Sequence, residues 1–143
     1  MDPRDYQLLA TELLIGNPPS RKVRTAVGRA YYAVLHVGSA LLTRLGFRVD
    51  TGPRRHKYVS HRFNNSSHAD IQRVGQQLED LYSRRLDADY ELSNTAIESQ
   101  VNARTLVEQA RIMIETIDRC SSEPHLSQIK KGIHEYEKKI SFS

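Results

Sequence analysis

Hydrophobic residues recur at steps of three and four positions over residues 24–45, the longest such stretch in the chain. This spacing places them on one face of an α-helix, and a stripe this broad is typical of the central helix of a bundle. We therefore predict a central helix from its N-cap Ser20 to about Leu45, ended by Gly46. The predicted stripe consists of Ala26, Ala30, Ala33, Val34, Val37, Ala40, Leu41 and Leu45.

A first helix is predicted ahead of the break at residues 16–19. It begins with Asp2 as N-cap and Pro3 in the first turn, and it continues to about Ile15. Its predicted buried residues are Tyr6, Leu9 and Leu13.

Two helices are predicted after a loop at residues 46–54. The first covers residues 55–63, and the second starts near Ala69, capped by the last residues of the turn at 64–67. The buried stripe of the second is Ile71, Val74, Leu78 and Leu81. For the polar stretch at 83–94 the pattern indicates no particular structure.

Asn94 is the predicted N-cap of a further helix over residues 95–119, and a tail helix follows a break at 121–124. The inward residues of the former are Ile97, Val101, Leu106, Ala110, Ile114 and Ile117. The tail carries a narrow seam like that of a coiled coil, which either packs on the bundle or meets a partner chain. The seam consists of Leu126, Ile129, Ile133, Tyr136 and Ile140.

The predicted fold class is therefore all-α, a helical bundle of about five helices over residues 1–120 with an amphipathic helical extension over 121–143. No apolar run approaches the roughly 18 residues of a membrane span, and residues 1–7 resemble no signal or transit peptide. A cytoplasmic protein without membrane contact is expected. The single Cys120 cannot form an internal disulfide, and we expect it to pack passively.

The net charge of +4, from 21 Lys and Arg against 17 Asp and Glu, permits nucleic acid as a partner without requiring it. Basic residues and histidines concentrate in residues 53–63, which hold no acid. This run is either a solvated face or a contact for a phosphate backbone.

The central helix also carries polar groups among its apolar residues. Arg29 and His36 are seven positions apart, which is about 700° of helix and places them within about 20° of one face. Tyr32 lies between them on the same strip, and Tyr31 is expected to pack in the core.

Three runs in this chain resemble those of HEPN domains (higher eukaryotes and prokaryotes nucleotide-binding). RAYYAVLH at 29–36 resembles the family's S-R-A-Y-Y-A-x-F-H helix, HKYV at 56–59 a segment opened by a histidine, and RLDADY at 85–90 its R-x-x-A-D-Y turn. Their order and spacing match over about residues 5–118, and the tail is not included. The resemblance implies an up-and-down bundle, often dimeric. The family includes RNA-cleaving toxins, defence ribonucleases and non-catalytic nucleotide-binding modules, many of them paired with a minimal nucleotidyltransferase.

The resemblance also implies a ribonuclease motif, an arginine followed after four to six residues by a histidine, which Arg29 and His36 satisfy. Arginine would hold the scissile phosphate and histidine would act as general acid or base, with no metal or cofactor. The residue after the family's arginine is usually polar, whereas here it is Ala30. Other pairs share the spacing, so spacing alone does not decide: Arg54 and His61, Arg55 and His61, Arg62 and His68, Arg119 and His125.

Two interpretations of these residues stay open. In the first, an RNA-binding protein, or an endoribonuclease of a toxin–antitoxin or defence system, uses Arg29 and His36 as catalytic residues and further substrate-binding residues: Tyr32, Arg55, His56, His61 and Arg85. In the second, a non-catalytic nucleotide-binding or interaction module has a structural polar cluster, in which Asp89 accepts from Arg29 or Arg85 beside Tyr32 and Tyr90. His56, His61 and His68 have no cysteine or acid at zinc-like spacing, so no metal site is expected.

Overall fold

The computed structural model describes residues 1–141, and within that range the chain is helical with no strand. Its six α-helices are α1 (Arg4–Leu13), α2 (Ser20–Arg44), α3 (Arg55–Asn64), α4 (Ala69–Tyr90), α5 (Gln100–Arg119) and α6 (His125–Ser141), and a 3₁₀-helix covers Thr95–Glu98. The predicted all-α class is thereby confirmed. None of these helices is long and apolar enough to cross a membrane.

The central position of α2 follows from its apolar stripe. It packs against α1, α3, α4 and α5, and every predicted stripe residue is buried except Ala40, which is exposed. Burial of small residues such as Ala26, Ala30 and Ala33 lets neighbouring helices approach α2 closely. Side chains along α2 therefore meet side chains of four other helices.

The helix starts differ from the prediction in three places. Ser20 makes no side-chain capping bond and is itself the first residue of α2. The cap of α4 is His68, whose Nδ1 accepts from the Ile71 amide, rather than the serines of the turn. Ser99, not Asn94, caps α5, because residues 95–98 form the 3₁₀-helix before it.

The polar stretch at 83–94 is helical as far as Tyr90, where α4 ends. Backbone carbonyls in the last turn of α4 and in the residues after it are bound by Arg24, which reaches across from α2. Its guanidinium donates to the carbonyl oxygens of Asp87, Ala88, Glu91, Leu92 and Asn94 over 3.0–3.3 Å. Helix C-terminal carbonyls lack intrahelical donors, so an arginine fork stabilises this end of the helix. Hydrophobic periodicity does not predict such a contact.

Besides Ala40, two other residues that were predicted to face the core of the bundle are exposed. Leu9 is 38% and Val101 is 72% accessible, because α1 and α5 turn other faces toward the core. In α1 the buried positions are Gln7 and Ala10, and Gln7 is tolerated there because its Nε2 donates to the Val107 carbonyl at 2.9 Å.

The tail helix α6 packs back on the bundle, mainly against α3, which is the first of the two alternatives for its seam. Ile129 and Ile133 are fully buried, whereas Ile140 is 47% exposed. Gly132 lies directly on the Ser66 backbone, so that a Cβ at this position would overlap the Ser66 carbonyl group. Residues 142 and 143 of the predicted extension lie outside the described range.

Candidate functional site

Most of the polar and aromatic residues singled out in the sequence meet where α1, α2, α3 and α4 adjoin. We call this group the arginine–tyrosine cluster. Its members are Tyr6 from α1, Arg29, Tyr31, Tyr32 and His36 from α2, Arg55 and His56 from α3, and Tyr82, Arg85 and Asp89 from α4.

Arg29 and His36 share a neighbour in Tyr6. The Arg29 guanidinium carbon lies 5.7 Å from the centre of the Tyr6 ring, and the His36 ring stacks on the same ring at 5.9 Å with an interplanar angle of 18°. Both side chains are partly buried. The seven-residue spacing on α2 thus places a guanidinium and an imidazole at one aromatic surface.

Arg55 reaches this pair from the start of α3. Its Nη1 lies 3.2 Å from His36 Nδ1. Because a guanidinium only donates, His36 Nδ1 must accept, and the proton of the neutral ring is on Nε2. Burial, together with the nearby charge of Arg55, lowers the pKa of His36. The ring is therefore neutral at physiological pH and presents Nε2–H as a donor.

Arg85 has both a hydrogen-bond partner and an ion-pair partner within the cluster. Its Nη2 donates to the Tyr32 hydroxyl at 2.8 Å, and its Nε lies 2.9 Å from Asp89 Oδ2. The Nε–H does not point at the carboxylate, so we read this contact as an ion pair rather than a directed hydrogen bond. The guanidinium carbon also lies 5.2 Å from the Tyr32 ring centre and 5.8 Å from that of Tyr90. Asp89 therefore neutralises Arg85.

Arg29 differs from Arg85 in having no such partners. Within residues 1–141 it forms no hydrogen bond and no ion pair, and its contact is with the face of the Tyr6 ring. Of the two partners predicted for Asp89 in the structural polar cluster, the structure has Arg85 and not Arg29. A partly buried positive charge is left without a carboxylate beside it.

His56 lies on the inner side of the cluster. Its Nδ1 is 3.0 Å from the Tyr31 hydroxyl, and its ring stacks on Tyr82 with centres 3.9 Å apart. Burial, reinforced by the charges of His61 and Lys57, lowers the pKa of His56 to about 4. Burial also raises the pKa of Tyr31. Both groups are therefore neutral at physiological pH and hold α2, α3 and α4 together.

His61 is exposed and stays outside the cluster. In the described part of the chain its side chain makes no hydrogen bond or ring contact, and it acts on the cluster through the pKa of His56. Two competing arginine–histidine pairs are engaged elsewhere. Arg62 pairs with Glu137 at 3.2 Å, and Arg119 pairs with Asp70 at 3.1 Å.

Sequence reasoning missed Tyr6 and Tyr82 as members of the cluster. Tyr6 was expected only as a core residue of the first helix, and Tyr82 stands one position beyond the stripe of α4. Periodicity marks the face on which a side chain lies but not the polar partner it meets there. Three arginines, neutral histidine donors and aromatic faces with one carboxylate make a surface suited to an anion.

Comparison of the chain with protein-family models, with curated proteins and with solved structures gives no match. The resemblance to HEPN domains therefore depends on the three sequence runs at 29–36, 56–59 and 85–90, and it stays a prediction.

Proposed function

We propose that this protein binds RNA through its phosphate groups at the arginine–tyrosine cluster, as a HEPN-type RNA-binding protein. The observation that carries the proposal is Arg29, a partly buried guanidinium that has no carboxylate or hydrogen-bond partner within residues 1–141. A bound phosphate supplies the missing negative charge.

The electrostatics favour an anion at this place. Burying a charge without a partner is unfavourable, and Arg55 adds a second positive charge to the cluster, 3.2 Å from His36 Nδ1. A phosphate accepts bidentate hydrogen bonds from a guanidinium and further bonds from an imidazole N–H. Arg29, Arg55 and His36 Nε2–H together offer such donors.

A polymer fits better than a small anion because the positive surface continues beyond the cluster. The helix α3 begins with the cluster residue Arg55. Its exposed basic residues are Lys57 and His61, and Arg54 is exposed directly before it. A second phosphate of the same strand would meet these residues. Phosphate contacts of this kind give affinity that falls as salt rises.

Cleavage of the bound RNA is a second candidate, favoured by Arg29 and His36 meeting at the Tyr6 ring. Arg29 would hold the scissile phosphate while the 2′-oxygen attacks phosphorus and the bond from phosphorus to the 5′-oxygen breaks. His36 would have to take the 2′-proton on Nδ1 and, as an imidazolium, give its Nε2 proton to the leaving 5′-oxygen. His36 Nδ1 is engaged by Arg55, so the same ring does not also accept the 2′-proton in this arrangement. Binding therefore has the stronger support.

The binding experiment compares Arg29→Ala with Arg73→Ala in titrations of a fluorescent single-stranded RNA. Arg73 is an exposed arginine of α4, about 18 Å along the helix from Arg85, so both variants lose one charge. A charged hydrogen bond contributes about 1.5–3 kcal/mol, so Arg29→Ala should bind at least about tenfold more weakly. Arg73→Ala should stay within about twofold of the unchanged chain. Equal affinities of the two variants would refute the proposal.

The cleavage experiment incubates the same RNA with the protein in EDTA and follows products with 2′,3′-cyclic phosphate ends. Cleavage that is lost in both Arg29→Ala and His36→Ala supports the enzyme. RNA that is bound but stays intact supports a protein that binds RNA without cleaving it.

The resemblance adds two protein partners to the proposal, a second copy of this chain and a minimal nucleotidyltransferase. Light scattering of the purified chain tests the first, and a mass corresponding to a single chain would exclude the homodimer. The alternative, a non-catalytic module that pairs with the nucleotidyltransferase, predicts nucleotide or partner binding without RNA affinity.

A further inference from the structure

Two histidines and the single cysteine meet between the ends of α4, α5 and α6. His68 Nε2 lies 2.9 Å from His125 Nδ1 and 3.9 Å from Cys120 Sγ. One ligand atom from each residue lies within 4.8 Å of the others. His68 and Cys120 are buried, and His125 is partly exposed. Imidazole nitrogen and thiolate sulfur are ligands that zinc prefers.

We propose that His68 Nε2, Cys120 Sγ and His125 Nδ1 bind a zinc ion, with water as the fourth ligand on the side where His125 is exposed. In tetrahedral zinc sites, bonds of about 2.0 Å to nitrogen and 2.3 Å to sulfur put the ligand atoms roughly 3.3–3.6 Å apart. The separations of 2.9 and 3.9 Å lie on either side of that range. Small side-chain rotations are enough to reach it.

The three ligands occupy fixed positions in the backbone. His68 is the N-cap of α4, Cys120 the C-cap of α5, and His125 the first residue of α6. His68 and Cys120 are 52 positions apart, and His68 and His125 are 57 apart, so no short sequence motif announces the site. A zinc ion here would join the tail helix to two helices of the bundle.

Proton positions change when zinc binds. In the described arrangement His68 Nδ1 accepts from the Ile71 amide at 3.3 Å, so its proton is on Nε2 and is donated to His125 Nδ1. Zinc needs the lone pair of Nε2, so the proton moves to Nδ1 and the Ile71 amide loses that acceptor. Cys120 binds as thiolate and releases its proton to solvent. One proton is therefore released for each zinc bound.

Binding should strengthen as pH rises, because the Cys120 thiol has to lose its proton to bind zinc. The charged groups that act on this thiol are Asp70, which opposes its ionisation, and Arg119, which favours it. These two are paired with each other at 3.1 Å. Neither carries the site, but their charges largely offset each other beside it.

The test titrates the full chain, purified in EDTA and kept reduced, with Co²⁺ as a spectroscopic substitute and then with Zn²⁺. The expected result is one ion per chain, a thiolate-to-cobalt charge-transfer band in the near ultraviolet, and displacement of that band by zinc. Zinc should also raise the urea midpoint of the unchanged chain, because it binds the folded state.

Three variants decide the assignment. Cys120→Ser should lose the band, and His125→Ala should bind at least about tenfold more weakly, because even residues that only orient a ligand cost that much. His134→Ala removes another histidine from α6, one that packs on Phe47, and should retain the band and the affinity. Far-ultraviolet circular dichroism without metal shows whether each variant is folded. If His125→Ala does not fold, His125→Gln replaces it.

Other outcomes overturn the zinc site. A missing charge-transfer band would show that Cys120 is not a ligand. Binding that is unchanged in Cys120→Ser or His125→Gln would assign the ion to surface histidines. Titration in weak buffer measures the proton released, and a value near zero would exclude the thiolate.

Discussion

Two arginines of α2 have opposite surroundings, although they are only five positions apart. Arg24 donates to five backbone carbonyls in the last turn of α4 and in the residues after it, and it lies 3.8 Å from Glu98, with only 11% of its side chain exposed. Arg29 is also partly buried, yet within residues 1–141 the only interaction of its guanidinium is with the face of the Tyr6 ring. The contrast separates an arginine whose donors are used within the fold from one whose guanidinium has no carboxylate or hydrogen-bond partner within residues 1–141.

In a helical bundle rich in arginine, unused guanidinium donors mark a candidate binding residue. Burial alone does not distinguish the two residues, and neither does position on α2. What distinguishes them is whether acceptors within the chain use the donors of the guanidinium. Mutation of Arg24 should therefore lower stability, whereas mutation of Arg29 should weaken RNA binding and leave stability nearly unchanged. Stability measurements on both variants, and on two further groups of the arginine–tyrosine cluster, test this.

The largest effect is expected for Arg24→Ala. It removes five contacts to backbone carbonyl oxygens, two of which keep a backbone N–H donor, and the ion pair with Glu98, so the free energy of unfolding should fall by about 3 kcal/mol. Urea unfolding measures it, with the exposed Arg21→Ala one turn earlier as control. A loss below about 1 kcal/mol would remove the contrast between Arg24 and Arg29.

Acidification should produce the next largest effect, through His56. Its pKa of about 4 in the folded chain lies below the usual value near 6.5, so between these pH values the unfolded chain binds more protons. Stability should therefore fall as the pH is lowered from 6.5 to 4 and change little with this group below 4. Because solvent screens the partly buried ring, about 1–2 kcal/mol is expected from it.

His56→Gln isolates this contribution, because glutamine keeps a polar partner for Tyr31 but does not titrate. The pH dependence of its unfolding free energy should be flatter over the same range. An unchanged slope would assign the acid sensitivity to other histidines, of which His36 and His68 also have lowered pKa values.

A smaller effect is expected for Tyr32→Phe, which removes the hydroxyl that accepts from Arg85. The loss should be about 1 kcal/mol, because the bond is partly buried and its donor is charged. A double-mutant cycle with Arg85→Met measures the coupling between the two side chains. Coupling near zero would show that the Tyr32 hydroxyl does not stabilise the fold through Arg85.

The smallest effect on stability is expected for Arg29→Ala, within about 0.5 kcal/mol of the unchanged chain. The Arg29 side chain has no hydrogen bond or ion pair within residues 1–141 to lose. Added inorganic phosphate should raise the urea midpoint of the unchanged chain and leave that of Arg29→Ala unaltered. A loss above about 2 kcal/mol would make Arg29 a structural residue.

Much of the fold was predictable because burial of a helix face leaves a periodic trace. The central helix, the break at residues 16–19 and the stripe of α4 all appear in the spacing of apolar residues. The continuation of α4 through residues 83–90 was not predictable, because polar contacts hold it. These are the ion pair of Arg85 with Asp89 and the carbonyl contacts of Arg24.

The candidate site was predictable only along single helices. The seven-residue spacing placed Arg29 and His36 on one face of α2, but nothing in it indicates Tyr6 or the contact from Arg55. Likewise, Cys120 was expected to pack passively, and its histidine neighbours come from distant segments. Side chains that meet through packing of different helices leave no common spacing in the chain.

The bare backbone contact between Gly132 and Ser66 determines how far along its own axis α6 can sit. A shift of α6 by one residue would bring the Cβ of Lys131 or Ile133 onto the Ser66 carbonyl, where there is no room for it. Two helical turns before Gly132, on nearly the same face, is His125. The close contact of Gly132 thus determines where the His125 imidazole, seven positions earlier on α6, is placed.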